Sequence, residues 1–210
     1  MSASPGKNKP SFCDVYLPAS PPLHDALKPL SWLLGTWRGE EGKGDYPTIK
    51  DFKYKEEVKF DHVGQPNLEF SFCSSHYETG KPLHREKGFL KIQPGTSHLA
   101  LVNTQNVGIV ELSEGEVKGQ EITLESHTIG RMTFGKDPAV TKIQRTFRLV
   151  DADTLEQVVH METSATAPAQ HHLSIQYKKV ALAAVLGDSA RWCFLRGMLH
   201  VCSCKIEARK

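Results

Sequence analysis

The sequence predicts an all-β protein made of short antiparallel strands, arranged as a barrel or a sandwich. Short segments in which apolar and polar residues alternate follow one another from Gly35 to Val180, a pattern typical of half-buried strands. Turn-forming residues recur between these segments, and no long helical pattern separates them. We favour the barrel, because closure removes exposed strand edges and can enclose a single ligand.

A short helix is expected ahead of the strands. Residues 1–22 contain five prolines together with Ser, Lys and Asn, so we expect a flexible leader there. Four leucines then recur at helical spacing on either side of Pro29: Leu23, Leu27, Leu30 and Leu33. We interpret this pattern as a brief helix or 3₁₀ segment that lies across one end of the main body, residues 23–180.

The first strand is predicted in the glycine-rich residues 35–48. This segment contains Gly35, Trp37, Gly39, Gly42, Gly44, Tyr46, Pro47 and Thr48. Glycines beside a tryptophan suit a bent strand and hairpin, because a backbone without side chains can curve tightly or approach a ligand. The segment lacks the Gly-Lys-Ser/Thr sequence and the βαβ setting of a phosphate-binding loop, so nucleotide binding is not predicted.

The remaining strands are predicted from alternation and from the turn residues between them. The strand segments are 52–60, 68–72, 88–92, 99–102, 108–112, 116–117, 121–124, 143–149, 155–161 and 172–177. The turns are 64–66, 78–80, 94–95, 114–115, 118–119 and 151–153. Residues 181–210 are expected to form an extension, in which Ser189 can cap a helix that is apolar nearly all round. Such a helix can pack on the barrel, bind a protein partner or mediate self-association.

Composition excludes several classes of protein. The net charge of the chain is +2. Residues 181–210 contain five basic and two acidic side chains, so residues 1–180 are slightly acidic. No nucleic-acid-binding face is therefore predicted. No uncharged apolar run is long enough to span a membrane. The five cysteines are irregularly spaced and no secretory signal is recognisable, which favours a cytoplasmic location, with nuclear presence also allowed.

Motifs in consistent order resemble those of the nitrobindin family, particularly its animal branch. The motifs are the Pro29-to-Trp37 segment with the glycines that follow, then residues 62–66, 81–86, 114–120 and 170–173. The resemblance spans roughly residues 27–180. One departure is that Glu40 and Glu41 both stand between Gly39 and Gly42, a lengthening by one residue that we assign to a turn. The resemblance implies a ten-stranded antiparallel barrel, like fatty-acid-binding proteins and lipocalins, that holds one haem b.

The pair His171-His172 is the candidate metal-binding site. Adjacent strand residues point to opposite faces, so one imidazole must face the barrel interior, where a haem requires a single axial histidine. Alternation groups His171 with the apolar residues Leu173, Ile175 and Tyr177, which favours His171 as the inward residue. The resemblance instead implies His172, the histidine just before the leucine, and we select His172 as the axial ligand of the haem iron.

Other candidate contacts are less specific. By resemblance, Thr48 lies beside the haem, where its hydroxyl can hydrogen-bond a propionate. Lys136 can offer a charge to a propionate, although a solvated loop lysine is the simpler interpretation. Four residues suit either an apolar pocket lining or an ordinary core: Trp37, Phe70, Phe72 and Met161. Six isolated histidines are interpreted as solvated or hydrogen-bonded side chains: His62, His76, His84, His98, His127 and His160.

The resemblance implies a ferric haem protein that binds nitric oxide and isomerises peroxynitrite to nitrate, with His172 acting through the iron. The alternative is a non-enzymatic carrier or sensor of nitric oxide, haem or an apolar molecule, which would share all of these sequence features. No Gly-x-Ser-x-Gly motif indicates a hydrolase. The adjacent acids Glu56 and Glu57 should point to opposite faces of their strand, and no general acid or base is assigned.

Overall fold

Ten antiparallel strands close into a barrel in the computed structural model, which describes residues 21–181. Each strand pairs with its neighbours in chain order, and β1 completes the ring by pairing with β10. The strands are β1 (Gly35–Tyr46), β2 (Ile49–Asp61), β3 (Asn67–His76), β4 (Pro82–Ile92), β5 (His98–Gln105), β6 (Ile109–Lys118), β7 (Glu121–Arg131), β8 (Val140–Asp151), β9 (Thr154–Thr163) and β10 (Thr166–Lys179). The ten-stranded barrel is therefore confirmed.

Both ends of the chain fall largely outside the described residues. The leader 1–22 is described only at residues 21 and 22, and the extension 181–210 only at residue 181. The expectations for these segments stay predictions. No helix within residues 21–181 has the length and apolar character that crossing a membrane requires.

The predicted short helix is a 3₁₀ helix, Asp25–Leu33. Its Leu27, Leu30 and Leu33 are buried, and their spacing of three matches the three residues per turn that place i and i+3 on one side. The His24 side chain accepts a hydrogen bond from the Ala26 backbone N–H at 3.1 Å and caps the helix start. Trp37 in β1 donates its indole N–H to the Leu33 carbonyl at 2.7 Å, which fixes the helix to the barrel.

The hydrophobic core occupies the end of the barrel where the odd-numbered strands begin and the even-numbered strands end. The three helix leucines pack there with residues from the strands, including Trp37, Val58, Phe60, Leu68, Leu90, Leu99, Val117, Ile122, Phe147, Leu155 and Tyr177. Large side chains in one continuous cluster fill this end, because a barrel of this size is just wide enough for its inward residues to meet.

Two segments that were predicted as turns lie within strands. Glu40 and Glu41 lie inside β1 rather than in a turn, because the β1–β2 register shifts between Gly39 and Gly42 and places one extra residue on β1. Gly115 also lies within a strand, β6, where an added Cβ would come 1.8 Å from the Thr123 carbonyl oxygen. The turn predicted at residues 114–115 is therefore wrong: the glycine allows close approach of two backbones.

The glycines of β1 also make room for aromatic rings that belong to β2. A Cβ added at Gly42 would lie 2.6 Å from ring carbons of Tyr54. A Cβ added at Gly44 would lie 2.2 Å from the ring of Phe52. Both rings line a cavity that is described below. The glycine pattern of β1 is thus tied to the placement of two cavity residues.

We expect Gly42→Ala to destabilise the protein by about 1–3 kcal/mol, because the added methyl group overpacks the buried Tyr54 ring. The free energy of unfolding in urea would measure this. Gly130→Ala is the matched control, since the nearest atom to an added Cβ there is 4.0 Å away. Equal losses of stability in the two variants would contradict the packing role of Gly42.

Candidate functional site

A cavity of about 480 Å³ lies at the end of the barrel opposite the helix. Its volume falls within the range of small-molecule and cofactor pockets. Most of its wall is apolar or aromatic, with a few polar groups among them. The lining residues include Phe52, Tyr54, Leu83, Val107, Ile109, Ile143, Val159, Met161 and Leu173, together with Glu56, His76, His84, Glu86, Arg145, Gln157 and His172.

A β-bulge in β10 brings His172 into the cavity wall. The β9–β10 register shifts between His171 and Leu173, so that β10 has one residue more than β9 at this point. As a result His172 and Leu173 both line the cavity, although they are adjacent in the chain. The alternation argument and the family resemblance had pointed to different residues because a bulge resets the alternation.

The surroundings of His172 keep its imidazole neutral. Burial lowers the pKa of His172, and the backbone and carboxylate of Asp45 offset this only in part. The Tyr46 ring packs edge-on against the imidazole with centroids 5.3 Å apart, and the Tyr46 hydroxyl donates a hydrogen bond to the Met161 carbonyl at 3.1 Å. The Nδ1 atom of His172 is buried and has no hydrogen-bond partner among residues 21–181. A neutral, positioned imidazole is the form of histidine that binds metals.

His171 occupies the outer face of the same strand. Its Nδ1 lies 2.5 Å from a carboxylate oxygen of Asp45, and its ring meets that of His160 edge-on, with centroids 5.7 Å apart. Its side chain is 37% exposed. His171 therefore makes a surface contact between β10 and the end of β1.

The other predicted contacts are divided between the cavity, the core and the surface. Met161 lines the cavity, whereas Trp37, Phe70 and Phe72 belong to the core at the opposite end. Thr48 is exposed in the turn between β1 and β2, two residues after Tyr46, and is not among the described residues that line the cavity. Lys136 is exposed in the β7–β8 loop and lines a neighbouring surface pocket, which shares Val107, Ile109 and Val140 with the cavity.

A buried ion-pair network forms part of the cavity wall. Arg145, whose side chain is 3% exposed, lies 2.9 Å from Glu86 and 3.6 Å from Glu111. Asn103 donates to both carboxylates, at 2.5 and 3.1 Å. Burial by itself would raise the pKa of Glu86, but the charges of Arg145 and His84 outweigh it and bring the pKa to about 2.

A second polar group in the wall consists of Glu56, Tyr177 and Gln157. The Tyr177 hydroxyl lies 2.6 Å from a carboxyl oxygen of Glu56 and 2.6 Å from the side-chain oxygen of Gln157. Burial raises the pKa of Glu56 to about 7, and the nearby Glu86 adds to the effect. Glu57, the next residue, points outward and pairs with Arg38 at 2.7 Å, as strand alternation predicted.

Sequence reasoning missed most of these polar residues, although a signal was present. Glu56 stands between Tyr54 and Val58 in β2, and Arg145 stands between Ile143 and Phe147 in β8; the four flanking residues are all buried. A charged residue in phase with inward-facing apolar neighbours is a candidate for an interior site. His76 and His84 are predicted as solvated or hydrogen-bonded side chains, and both do make such contacts, but the sequence does not predict that they line the cavity.

Comparison with known proteins assigns residues 26–179 to the family described as the THAP4-like, heme-binding beta-barrel domain. The Peroxynitrite isomerase THAP4 of Rattus norvegicus is 52% identical over 161 residues, which make up 76% of this chain and 28% of that protein. The chain thus spans little more than a quarter of the length of its THAP4 relatives.

Shorter relatives match over nearly their whole length. The Arabidopsis thaliana protein named Peroxynitrite isomerase Rv2717c is 42% identical over 156 residues, covering 73% of this chain and 89% of the relative. The crystal structure of Rv2717c from M. tuberculosis matches with a TM-score of 0.69 and 36% identity, covering 76% of this chain and 100% of that one. The motif order, the closed ten-stranded barrel and these matches agree: the chain belongs to the family of THAP4-like, haem-binding β-barrel domains, the nitrobindins.

Proposed function

We propose that the cavity binds haem b with His172 as the axial iron ligand, and that the protein isomerises peroxynitrite to nitrate. The observation that carries this proposal is the neutral imidazole of His172 in the cavity wall, with a buried Nδ1 that has no hydrogen-bond partner in the part of the chain that the structure describes. Imidazole in its neutral form is the proximal ligand of many haem proteins.

The residues of the cavity fit haem better than a free metal ion. Within residues 21–181, no group of three or more His, Cys, Asp or Glu side chains is arranged to hold a metal ion. His76 and His84 also line the cavity but form no such group with His172, and His172 alone offers too few ligands for an all-protein metal site, whereas a porphyrin brings four nitrogen ligands of its own. The aromatic and aliphatic side chains of the wall suit the apolar faces of such a macrocycle.

The reaction is proposed from the relatives and from the properties of the cavity. Relatives at 38–52% identity are named peroxynitrite isomerases. When bound, ferric haem supplies a Lewis acid that can polarise a peroxynitrite oxygen and an open coordination position for nitric oxide. His172 would hold the cofactor, Tyr46 would hold the His172 ring by edge-on contact, and the apolar wall would exclude water and confine the reacting fragments.

The remaining assignments extend the same proposal. Residues 23–180 would be the haem-binding unit, and Thr48 would hydrogen-bond a haem propionate at the end of the barrel that holds His172. The extension 181–210 would mediate self-association or bind a protein partner. The irregular cysteine spacing supports a cytoplasmic location.

We expect His172→Ala to lower haemin affinity by on the order of a hundredfold or more, because loss of a metal ligand exceeds the effect of losing an outer-shell partner. Haemin titration, followed at the Soret band, would measure this. His171→Ala is the matched control, since that ring lies on the outer face of the same strand. Haemin affinity that is kept in His172→Ala and lost in His171→Ala would reverse the ligand assignment.

We expect Thr48→Val to weaken haemin binding by roughly ten- to a hundredfold, the effect of one hydrogen bond to a charged group. Thr123→Val, at an exposed position on β7, should leave haemin affinity unchanged. Equal affinities in wild-type protein and Thr48→Val would remove Thr48 from the proposed site.

We expect the haem-loaded protein to convert a large excess of peroxynitrite to nitrate, with many turnovers per haem. Stopped-flow decay of peroxynitrite and nitrate quantification would measure the turnover. Stoichiometric binding of one nitric oxide per haem without turnover would instead establish the carrier or sensor function.

A further inference from the structure

The carboxyl group of Glu56 has an unusual position for an acid. It lies in the cavity wall, and it forms no salt bridge with any residue of the described part of the chain. By contrast, Glu86 in the same wall is compensated by Arg145 and His84, at 2.9 and 3.2 Å. Glu56 is half-buried, and a carboxylate withdrawn from bulk water without a cation is destabilised relative to its protonated form.

The hydrogen bonds of Tyr177 indicate where the proton resides. Its hydroxyl lies between Oε2 of Glu56 and Oε1 of Gln157, at 2.6 Å from each. A phenol has one proton and can donate to only one of two acceptors. Both short contacts are satisfied when protonated Glu56 donates to the Tyr177 oxygen and Tyr177 donates to Gln157. With the amide oxygen of Gln157 toward Tyr177, a carboxylate at Glu56 would leave one pair of oxygens in contact without a proton.

The charged groups around Glu56 do not neutralise the negative charge that it would carry without this proton. Glu86 from β4 raises its pKa, whereas Arg145 from β8 and His84 from β4 lower it. Arg145 is already engaged by two carboxylates, Glu86 and Glu111. The remaining neighbour, Tyr54 on β2, has a pKa raised by burial and therefore stays neutral. Burial has the largest effect and raises the pKa, the hydrogen bond with Tyr177 lowers it, and with these groups the pKa of Glu56 is about 7.

We propose that Glu56 is a specificity-determining residue that sets the charge of the cavity: it holds a proton below neutral pH, and an anionic ligand binds preferentially to the protonated form. This inference rests on the proposed function, because peroxynitrite and nitrate are anions that must occupy the same cavity. Once Glu56 loses its proton, its negative charge opposes binding of either anion. Binding of an anion above neutral pH therefore favours the uptake of a proton at Glu56.

The size of the cavity makes this repulsion measurable. A sphere of 480 Å³ is about 10 Å across, so an anion inside the cavity lies within roughly that distance of Glu56. At about 10 Å and an effective dielectric constant of about 20, repulsion between two unit charges weakens binding on the order of tenfold. The effect appears only as the pH rises through about 7, where Glu56 loses its proton.

The first experiment tests whether the Glu56 carboxyl group is protonated in the haem-free protein. Infrared spectra at pH 6 and pH 9 should show a protonated-carboxyl band that disappears at the higher pH. The band should be missing from Glu56→Gln and present in Glu57→Gln, the matched control on the outer face of the same strand. Absence of the band from wild-type protein at pH 6 would overturn the proposal.

The second experiment tests the effect on anions in the haem-loaded protein, with azide as the probe. Azide affinity, followed at the Soret band, should be similar in wild type and Glu56→Gln at pH 6 and about tenfold higher in Glu56→Gln at pH 9. Because an ionised Glu56 would oppose hydroxide as it opposes azide, hydroxide competition is measured in each variant by pH titration and the azide affinities are corrected for it. Glu57→Gln should match wild type at every pH.

The two experiments separate the failure of this inference from that of the proposed function. A ratio that does not change with pH would overturn the role of Glu56 even if haem binds normally. Failure of the wild-type protein to take up haem would overturn the proposed function and with it the anion effect, while the infrared band would still decide whether Glu56 is protonated.

Discussion

The bulge in β10 is the feature on which the candidate site depends. An uninterrupted strand would place either His172 or Leu173 inside the barrel, but not both. The extra residue lets the apolar sequence Leu173, Ile175 and Tyr177 continue facing inward while His172 joins the cavity wall. The strand thereby supplies a polar ligand group without interrupting the packing that holds the barrel closed.

The barrel is divided into a filled end and an end that holds the cavity. The 3₁₀ helix and large side chains from all ten strands fill the first, and this continuous cluster supplies most of the apolar burial. At the other end, aromatic rings from β2 lie over glycines of β1, and buried polar groups stand among apolar residues. The filled end stabilises the fold, so the cavity end can retain space and uncompensated polar atoms.

Two acids of the wall, the buried Glu86 and the half-buried Glu56, show how neighbouring groups give one residue type different properties. Glu86 stays ionised because Arg145 and His84 compensate its charge, whereas Glu56 is hydrogen-bonded to a neutral tyrosine and has a raised pKa. The cavity therefore combines a fixed ion pair, a neutral imidazole and an acid that titrates near neutrality. This combination suits a site where a neutral macrocycle face and a small anion must both be accommodated.

Alternation and turn residues act over a few neighbouring positions, so the sequence determined the class of fold and the order of most strands, while the number ten came from the family resemblance, since alternation split β6 into two segments. It also determined that Glu56 and Glu57 face opposite sides of β2. It did not determine the inward histidine, because a bulge is defined by the register of two strands rather than by one. Gly115 was misread as a turn for the same reason, since the close approach that requires it comes from β7. Only the closed barrel brought β2, β4, β8, β9 and β10 around one cavity. The polar residues that these strands contribute to its wall lie far apart in the chain and meet through strand pairing alone.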